Sequence, residues 1–546
     1  MVGGMHAGKL LFILLSTAGS FGLTACAQED GGEKATSPDP VERIRQVVED
    51  LAKTPAVSSG TVGFYLAPLG AADQPLATRS HKQSFITAST MKTLTTGTAL
   101  EVLGPDFRFE TKVLFSPSTG DLILQGAGDP SLGRSDWEDL FNDWTNRLAA
   151  AGIREIHGRV IADETAWESQ EIPDGWAWLD MGNYYAPPLT PLCYQNNSLK
   201  VHFQLSGKPG EPAGFYDADP WPSGLNFADE LRVGPPGTGD NAYVYGPPGT
   251  TVYTVRGTLA ADTDRDYIRG ALPDPALFCA QHFTDWLNHH EIPVHGTATT
   301  TRRLETAARI ALTFPEPPAP KPVSKPAPSV KAASKGRAKS KTPASTPARA
   351  PAPASAPKPS PGWSLPKDAR LVASHFSEPL RDMLIPINHL SLNLDCECLL
   401  KTMGKGSTRA GLARIRKHLS GKNLPLAGYE QQDGSGLSRT NMVTPELLAR
   451  ANASFLTGPH AAAYLASLPE AGGSGGTLHS LGVSDPATVI RAKSGTIERV
   501  KSYTGVVDTG DDRHFIFAVL INNYDGAYDS DVAPGLHELF EALGGL

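Results

Sequence analysis

The sequence predicts an α/β core interrupted by a large, mainly β inserted unit, and three observations carry that expectation. Residues 41–51 have the spacing of an amphipathic helix, residues 61–66 read as a strand, and apolar Met91, Leu94, Ala99 and Leu103 recur near helical spacing. After Gly104 and Pro105 the texture changes to short alternating strands, first residues 111–115 and then 122–125, and it stays strand- and loop-rich to about residue 300. Past a low-complexity stretch, helix- and strand-like patterns return. The expected boundaries are 41–110 with 370–546 for the core, 111–314 for the inserted unit and 315–362 for the linker.

Length and composition set the frame. A chain of 546 residues exceeds one typical domain, so two or three compact units are expected. Hydrophobic residues at 40% and charged ones at 19% suit a soluble globular protein. The net charge is −8, and no basic face interleaved with aromatics stands out, so no nucleic-acid partner is expected. Charge is unevenly placed: residues 315–362 hold nine Lys or Arg against one acid, a local +8. That segment, built of Pro, Ala, Ser and Lys, buries too little apolar surface to offset its ordering entropy. It reads as a solvated linker, with contact to anionic wall polymers or lipid as the alternative.

The N-terminus reads as a targeting signal. Lys9 precedes the short apolar run of residues 10–15, too short to span a membrane, and small residues follow. Residues 1–25 are therefore expected to be a signal peptide. Leu23, Thr24, Ala25 and Cys26 look like a bacterial lipobox, which implies cleavage before Cys26, a lipid on its thiol and a polar tether over residues 26–40. Ordinary cleavage near Ala27, giving a free periplasmic protein, is the alternative. Ala27 follows Cys26 where aspartate often marks inner-membrane retention, so an outer-membrane address is expected in a diderm host. Export places Cys193, Cys279, Cys396 and Cys398 in an oxidising compartment. Cys193 and Cys279 could pair, whereas Cys396 and Cys398 sit too close along one helix to bridge each other. No Cys/His cluster has metal-ligand spacing, so neither a metal nor another cofactor is expected.

The chemistry begins at Ser89 and Lys92. Three positions apart at a helix start, they share a face, which brings the lysine amine to the serine hydroxyl. The helix N-terminus favours developing negative charge on that serine. This is a nucleophile and its base. Downstream, Ser391-Leu392-Asn393 precedes a helix-like run, and Lys493-Ser494-Gly495-Thr496 ends a strand-like one. Between them lies a turn-rich loop from Asp433 to Arg439.

S-x-x-K, S-x-N and K-[TS]-G in that order are the three motif boxes of penicillin-binding proteins and serine β-lactamases. Ser89 and Ser391 are 302 residues apart, and Ser391 and Lys493 are 102 apart. Compact β-lactamases have no room for the first gap. The chain resembles the class C low-molecular-mass penicillin-binding proteins, the D-alanyl-D-alanine carboxypeptidase/endopeptidase family, which carry a large insertion there. Further matches are residues 126–131, Gly175 to Asp180 with Tyr184 to Pro188, and Asp433 to Arg439. Ser494 stands where threonine is usual, Leu392 where Asp or Asn is common, and His389 where lysine is frequent.

The resemblance implies a transpeptidase-like catalytic domain with a mainly β insertion, and a serine DD-peptidase acting on peptidoglycan stem peptides through an acyl-enzyme, with β-lactams as covalent inhibitors. It leaves open how far terminal D-Ala release extends to cleavage of D-Ala–diamino acid cross-links. In this reading Ser89 attacks and Lys92 is the base, its charged form disfavoured by burial and by the Lys493 cation. Ser391 with Lys493 relays a proton to the leaving nitrogen, and Asn393 holds Lys92 and the substrate amide. The backbone N–H groups of Ser89 and Thr496 form the oxyanion hole. Lys493, Ser494, Gly495 and Thr496 bind the terminal carboxylate. Asp180 meets the stem-peptide amino group, with Leu437 and Arg439 in the same subsite. Two other classes remain in view. A β-lactamase needs a fast deacylation route, for which no E-x-x-L-N segment exists, and a non-catalytic wall-binding lipoprotein predicts a damaged box, which none of the three is.

Overall fold

The computed structural model describes residues 39–313 and 363–546. The expected signal peptide, Cys26, the expected tether up to residue 38 and the expected linker over 315–362 lie outside the described residues.

A five-stranded antiparallel sheet organises the core. Its order is Val489–Ile497, Val500–Asp508, His514–Asn522, Thr61–Pro68 and Ala77–Arg79. Strand side chains alternate between faces, and the two faces are closed differently. Val62, Phe64, Leu66, Phe517, Val519 and Ile521 meet the helices Pro40–Lys53 and Ala533–Gly544. Tyr65, Ala67, Ile516, Ala518 and Leu520 meet the opposite layer, built from the helices Lys92–Leu103, Leu380–His389, Asn393–Met403 and Pro445–Leu456. The first helix and first strand expected from sequence therefore exist, extended by a few residues at their ends.

Burying apolar surface on both sides of one sheet is the dominant favourable contribution to such a layer. It also fixes the topology that matters here. Residues 61–79, just before the Ser89 turn, share this sheet with residues 489–522, and the strand carrying Lys493 lies beside that turn.

The inserted unit is rich in strands, as expected, and also carries long helices that the sequence reading did not announce. Part of it is indeed two three-stranded sheets, Tyr243–Tyr245 with Val252–Ala260 and Asn226–Gly234, and Tyr267–Ala271 with Ser198–Gln204 and Gly214–Asp219. The rest is a mixed sheet, Thr299–Thr300, Val160–Asp163, Leu122–Gln125, Glu110–Phe115 and Arg370–Phe376, with the long helices Trp137–Ala150 and Pro275–His289 packed on it. Phe141, Trp144, Tyr194 and Phe283 stack between those helices and the sheet. The boundary also moves. Arg370–Phe376 pairs with Glu110–Phe115 across the linker, so residues 370–376 belong to the inserted sheet rather than to the core.

The cysteines do not adopt the Cys193–Cys279 pairing that the sequence left possible. Cys193 and Cys279 both lie in the inserted unit, but the neighbour of Cys193 is Cys398, with Sγ atoms 3.6 Å apart. All four are buried thiols.

Candidate active site

Ser89 sits in a single 3-10 turn, Ala88–Met91, which runs straight into the helix Lys92–Leu103. Ala88 has φ +47°, a conformation that costs an L residue energy and persists only where surroundings hold it. The holding contacts are visible. Ser502 Oγ donates to Thr87 O at 2.6 Å, and Ser502 and Thr90 hydroxyls are 3.1 Å apart. Gly495 explains why the third box needs a glycine: a Cβ there would stand 2.6 Å from Thr87 O and 2.9 Å from Ser89 N. The strand can approach the nucleophile turn this closely only without a side chain.

Lys92 is wholly buried and its amine is saturated. Nζ donates to Ser89 Oγ at 2.9 Å, to Asn393 Oδ1 at 2.5 Å and to Ser435 O at 2.7 Å. Three polar partners fix its position, and as a neutral amine it donates two N–H bonds and keeps one lone pair able to accept the Ser89 proton. Burial lowers the Lys92 pKa below that of a free lysine, opposed by the neighbouring acidic groups of Cys396, Asp433, Glu397 and Asp395. Lys493 is also fully buried, donating to Ser391 Oγ at 3.0 Å and to Ser494 O at 2.7 Å. Its pKa is lowered too, first by burial and then by the Lys92 charge, so the repulsion between the two amines expected from the sequence is present. Two buried amines in one pocket disfavour the state with both charged.

Ser391 and Asn393 bracket the start of the helix Asn393–Met403. Ser391 takes φ +60°, which turns the chain sharply at the second box. Asn393 is oriented from the inserted unit, because its Nδ2 donates to Tyr185 O at 2.8 Å. Arg134, also from the insertion, donates to both oxygens of Asp395 at 2.9 Å and anchors the same helix.

The loop after Asp433 is more than a turn. Its carboxylate accepts from Gly436 N at 2.7 Å, Ser438 N at 2.6 Å, Asn441 Nδ2 at 2.8 Å and Trp176 Nε1 at 3.0 Å. Glu397, wholly buried one helical turn beyond Asn393, accepts from Gly434 N at 2.9 Å and Ser435 N at 2.8 Å. Burial, with Asp433 adding to it, pushes the Glu397 carboxyl up to about 8. Between them the two acids fix the Ser435 carbonyl that Lys92 uses. Sequence reading missed Glu397 and the Ser435 carbonyl. A glutamate four positions past the asparagine on a predicted helix was the available signal.

Ser89, Asp180, Tyr185, Ser391, Leu437 and Arg439 line one cleft of about 1120 Å³, together with Thr496. Asp180 is half-buried, with Ala177 N at 3.2 Å and Tyr185 Oη at 3.3 Å as donors. Burial raises its pKa, against the Ala177 hydrogen bond and the nearby Arg439 charge. Ser494 and Gly495 do not line the cleft. The Ser494 hydroxyl is 2.5 Å from Thr477 Oγ1, and Gly495 serves as backbone beside Ser89. Thr496 is exposed, and Lys501, another residue missed from sequence, donates to its hydroxyl at 2.9 Å. Burial lowers the Lys501 amine to about 8. His389 finds a place as well: Nδ1 is 2.6 Å from Gly475 O, tying the helix Leu380–His389 to the loop that carries Thr477.

A sheet flanked by helices, with a serine and two buried lysines converging at its edge strand, is the fold of penicillin-binding and β-lactamase-like proteins. A solved structure of penicillin-binding protein 4 from Haemophilus influenzae superposes with a TM-score of 0.67 over 91% of this chain and 98% of that one, at 20% identity. The chain belongs to the D-Ala-D-Ala carboxypeptidase 3 (S13) family, whose model matches residues 44–317 and 363–543. Among curated relatives, a D-alanyl-D-alanine carboxypeptidase of Actinomadura sp. is 25% identical over 96% of this chain and 88% of its own. The D-alanyl-D-alanine carboxypeptidase DacB of Haemophilus influenzae is 22% identical over 87% of this chain and 88% of its own.

Proposed function

We propose that this protein is a serine-type DD-peptidase that cleaves the terminal D-Ala-D-Ala bond of peptidoglycan stem peptides. The single observation that carries the mechanism is the unbroken hydrogen-bonded contact of Lys92 with Ser89, Asn393 and Ser435 in a site where burial favours the neutral amine. Ser89 Oγ attacks the carbonyl carbon of the penultimate D-alanine while its proton passes to Lys92 Nζ. Negative charge gathers on the carbonyl oxygen, which meets the Ser89 and Thr496 N–H groups. The C–N bond then breaks. Its nitrogen takes a proton through Ser391 Oγ, which Lys493 holds, and D-alanine leaves. Water attacks the ester in turn, returning the proton to Ser89.

The terminal carboxylate of the substrate meets Thr496, with Lys493 and Lys501 behind it. An arriving anion favours the charged form of these amines, whose burial otherwise lowers their pKa values, so carboxylate binding is coupled to proton uptake. Asp180, with Leu437 and Arg439 nearby, receives the side-chain amine of the stem peptide. The same cleft extends past Ser89 towards Tyr184 and Arg269, which stack at 3.6 Å, so a cross-linked donor fits the reading as an endopeptidase substrate. β-Lactams present a carbonyl and a carboxylate in the same relation and are proposed as acylating inhibitors. The lipobox at Cys26 supports a lipid-anchored address facing the periplasm. Incubating the protein with monomeric and cross-linked muropeptides and weighing the products tests the activity. Loss of one D-alanine, or scission of the cross-link, is the expected result.

A further inference from the structure

Glu155, His157 and His295 form a cluster outside the cleft, and the backbone beneath them is built to hold it. Ile156 and Val294 make a parallel bridge, with Ile156 N donating to Pro293 O at 2.9 Å and His295 N donating to Ile156 O at 2.9 Å. The Ile156 side chain is fully buried, so in extended chain its neighbours Glu155 and His157 project together to the outside. Val294 packs inward against the same core, which turns His295 outward beside them. Further backbone bonds, Gly158 N to Gly120 O and Gly296 N to Gly158 O, both at 2.9 Å, pin the two segments just beyond the cluster.

The donor atoms converge. His157 Nε2 lies 3.4 Å from Glu155 Oε1, and His295 Nε2 lies 3.3 Å from Glu155 Oε2. The imidazoles stack with centroids 5.5 Å apart and planes 14° from parallel. One ligand atom from each residue lies within 4.8 Å of the other two. Tetrahedral zinc with bonds of about 2.0–2.1 Å separates its ligand atoms by about 3.3–3.4 Å, the spacing at which each imidazole meets one Glu155 oxygen, His157 facing Oε1 and His295 facing Oε2. We propose that Glu155, His157 and His295 bind a divalent transition-metal ion of the zinc class, with water completing the coordination.

Two imidazoles and one carboxylate select such an ion over magnesium or calcium, which prefer oxygen ligands. Its effect is a staple. Residues 155–157 lead into the strand Val160–Asp163 and residues 293–295 lead into Thr299–Thr300, and these two strands are paired neighbours. An ion joining the approaches to both strands stabilises the folded state in proportion to its occupancy. Binding needs a bare Nε2 on each histidine. No local spacing in the sequence announces the site, because His295 lies 140 residues beyond Glu155. That distance is why the sequence led to an expectation of no metal.

The test uses the full chain, stripped with chelator and titrated with zinc chloride, then with magnesium chloride, at pH 7.5. Wild type is expected to bind one equivalent of zinc and to melt higher with zinc but not with magnesium. His157→Gln/His295→Gln, and His295→Gln alone, should weaken zinc binding at least tenfold while labelling by fluorescent penicillin stays unchanged. All three side chains are exposed, so both variants should fold. No zinc binding to wild type at roughly 100 µM, or equal binding to the double variant, would overturn the site.

Discussion

Replacing Glu397 tests the least expected feature of the site. Its two carboxyl oxygens accept from Gly434 N and Ser435 N at 2.9 and 2.8 Å. Glutamine preserves the volume but turns an NH2 towards one of these donors, orphaning a buried N–H at a cost of roughly 1–3 kcal/mol. Glu397→Ala orphans both and leaves a void, so roughly 2–6 kcal/mol is expected. The loop so released carries the Ser435 carbonyl, one of three acceptors that fix the Lys92 amine. A loss of about 1.4–2.7 kcal/mol in transition-state positioning corresponds to a roughly 10–100-fold slower acylation. Stopped-flow reaction with a fluorescent penicillin measures the rate, and urea unfolding measures the stability. A pH dependence accompanies this. The Glu397 carboxyl rises to about 8 in the fold, above its unfolded value near 4.5, because burial and Asp433 outweigh its two N–H donors, so the fold loses stability as pH climbs from 4.5 through 8. Glu397→Gln should remove that slope. A Glu397→Gln variant that is destabilised yet acylates at the wild-type rate would refute the link between this loop and Lys92.

Other consequences are as direct. Burial lowers the Lys92 pKa, so the neutral base forms at lower pH than for free lysine, and the acylation rate should rise with pH and level off below 10.5. Asp180→Asn should cost roughly 10–100-fold in kcat/KM on stem peptides with a free side-chain amine, and little on acetylated ones or on penicillin. Equal losses on both peptides would make Asp180 a structural support for the Trp176 segment. Cys26→Ser should move the protein from the membrane fraction to the soluble one, as fractionation with immunoblotting would report.

What could be read from the sequence, and what could not, follows from the range of the interactions involved. Ser89 and Lys92 are three residues apart on one helical turn, and the second and third boxes are short local patterns, so each could be recognised in isolation. The alternation of Val62, Phe64 and Leu66 against Tyr65 and Ala67 likewise lies within a single strand. The helix Trp137–Ala150 carried a comparable signal, with Leu140, Phe141, Trp144 and Leu148 buried at helical spacing, but strand-rich surroundings masked it. The pairing of Arg370–Phe376 with Glu110–Phe115 could not be read, because two strands some 260 residues apart leave no local trace. The contacts of Asn393 with Tyr185 and of Asp433 with Trp176 are of the same kind. They join the inserted unit to the catalytic pocket through side chains that look unremarkable in sequence. The Ser435 carbonyl is the extreme case, since backbone atoms have no residue type to announce them.

The central claim is that Ser89, activated by Lys92, forms a covalent acyl-enzyme with D-Ala-D-Ala substrates. Intact-protein mass spectrometry after rapid quenching with a slow D-Ala-D-Ala thioester analogue, followed by peptide mapping, tests it most directly. The account predicts one acyl adduct per chain, on Ser89, absent from Ser89→Ala and strongly reduced in Lys92→Ala while both variants remain folded. An adduct on Ser391, or turnover of the substrate by Ser89→Ala, would contradict it.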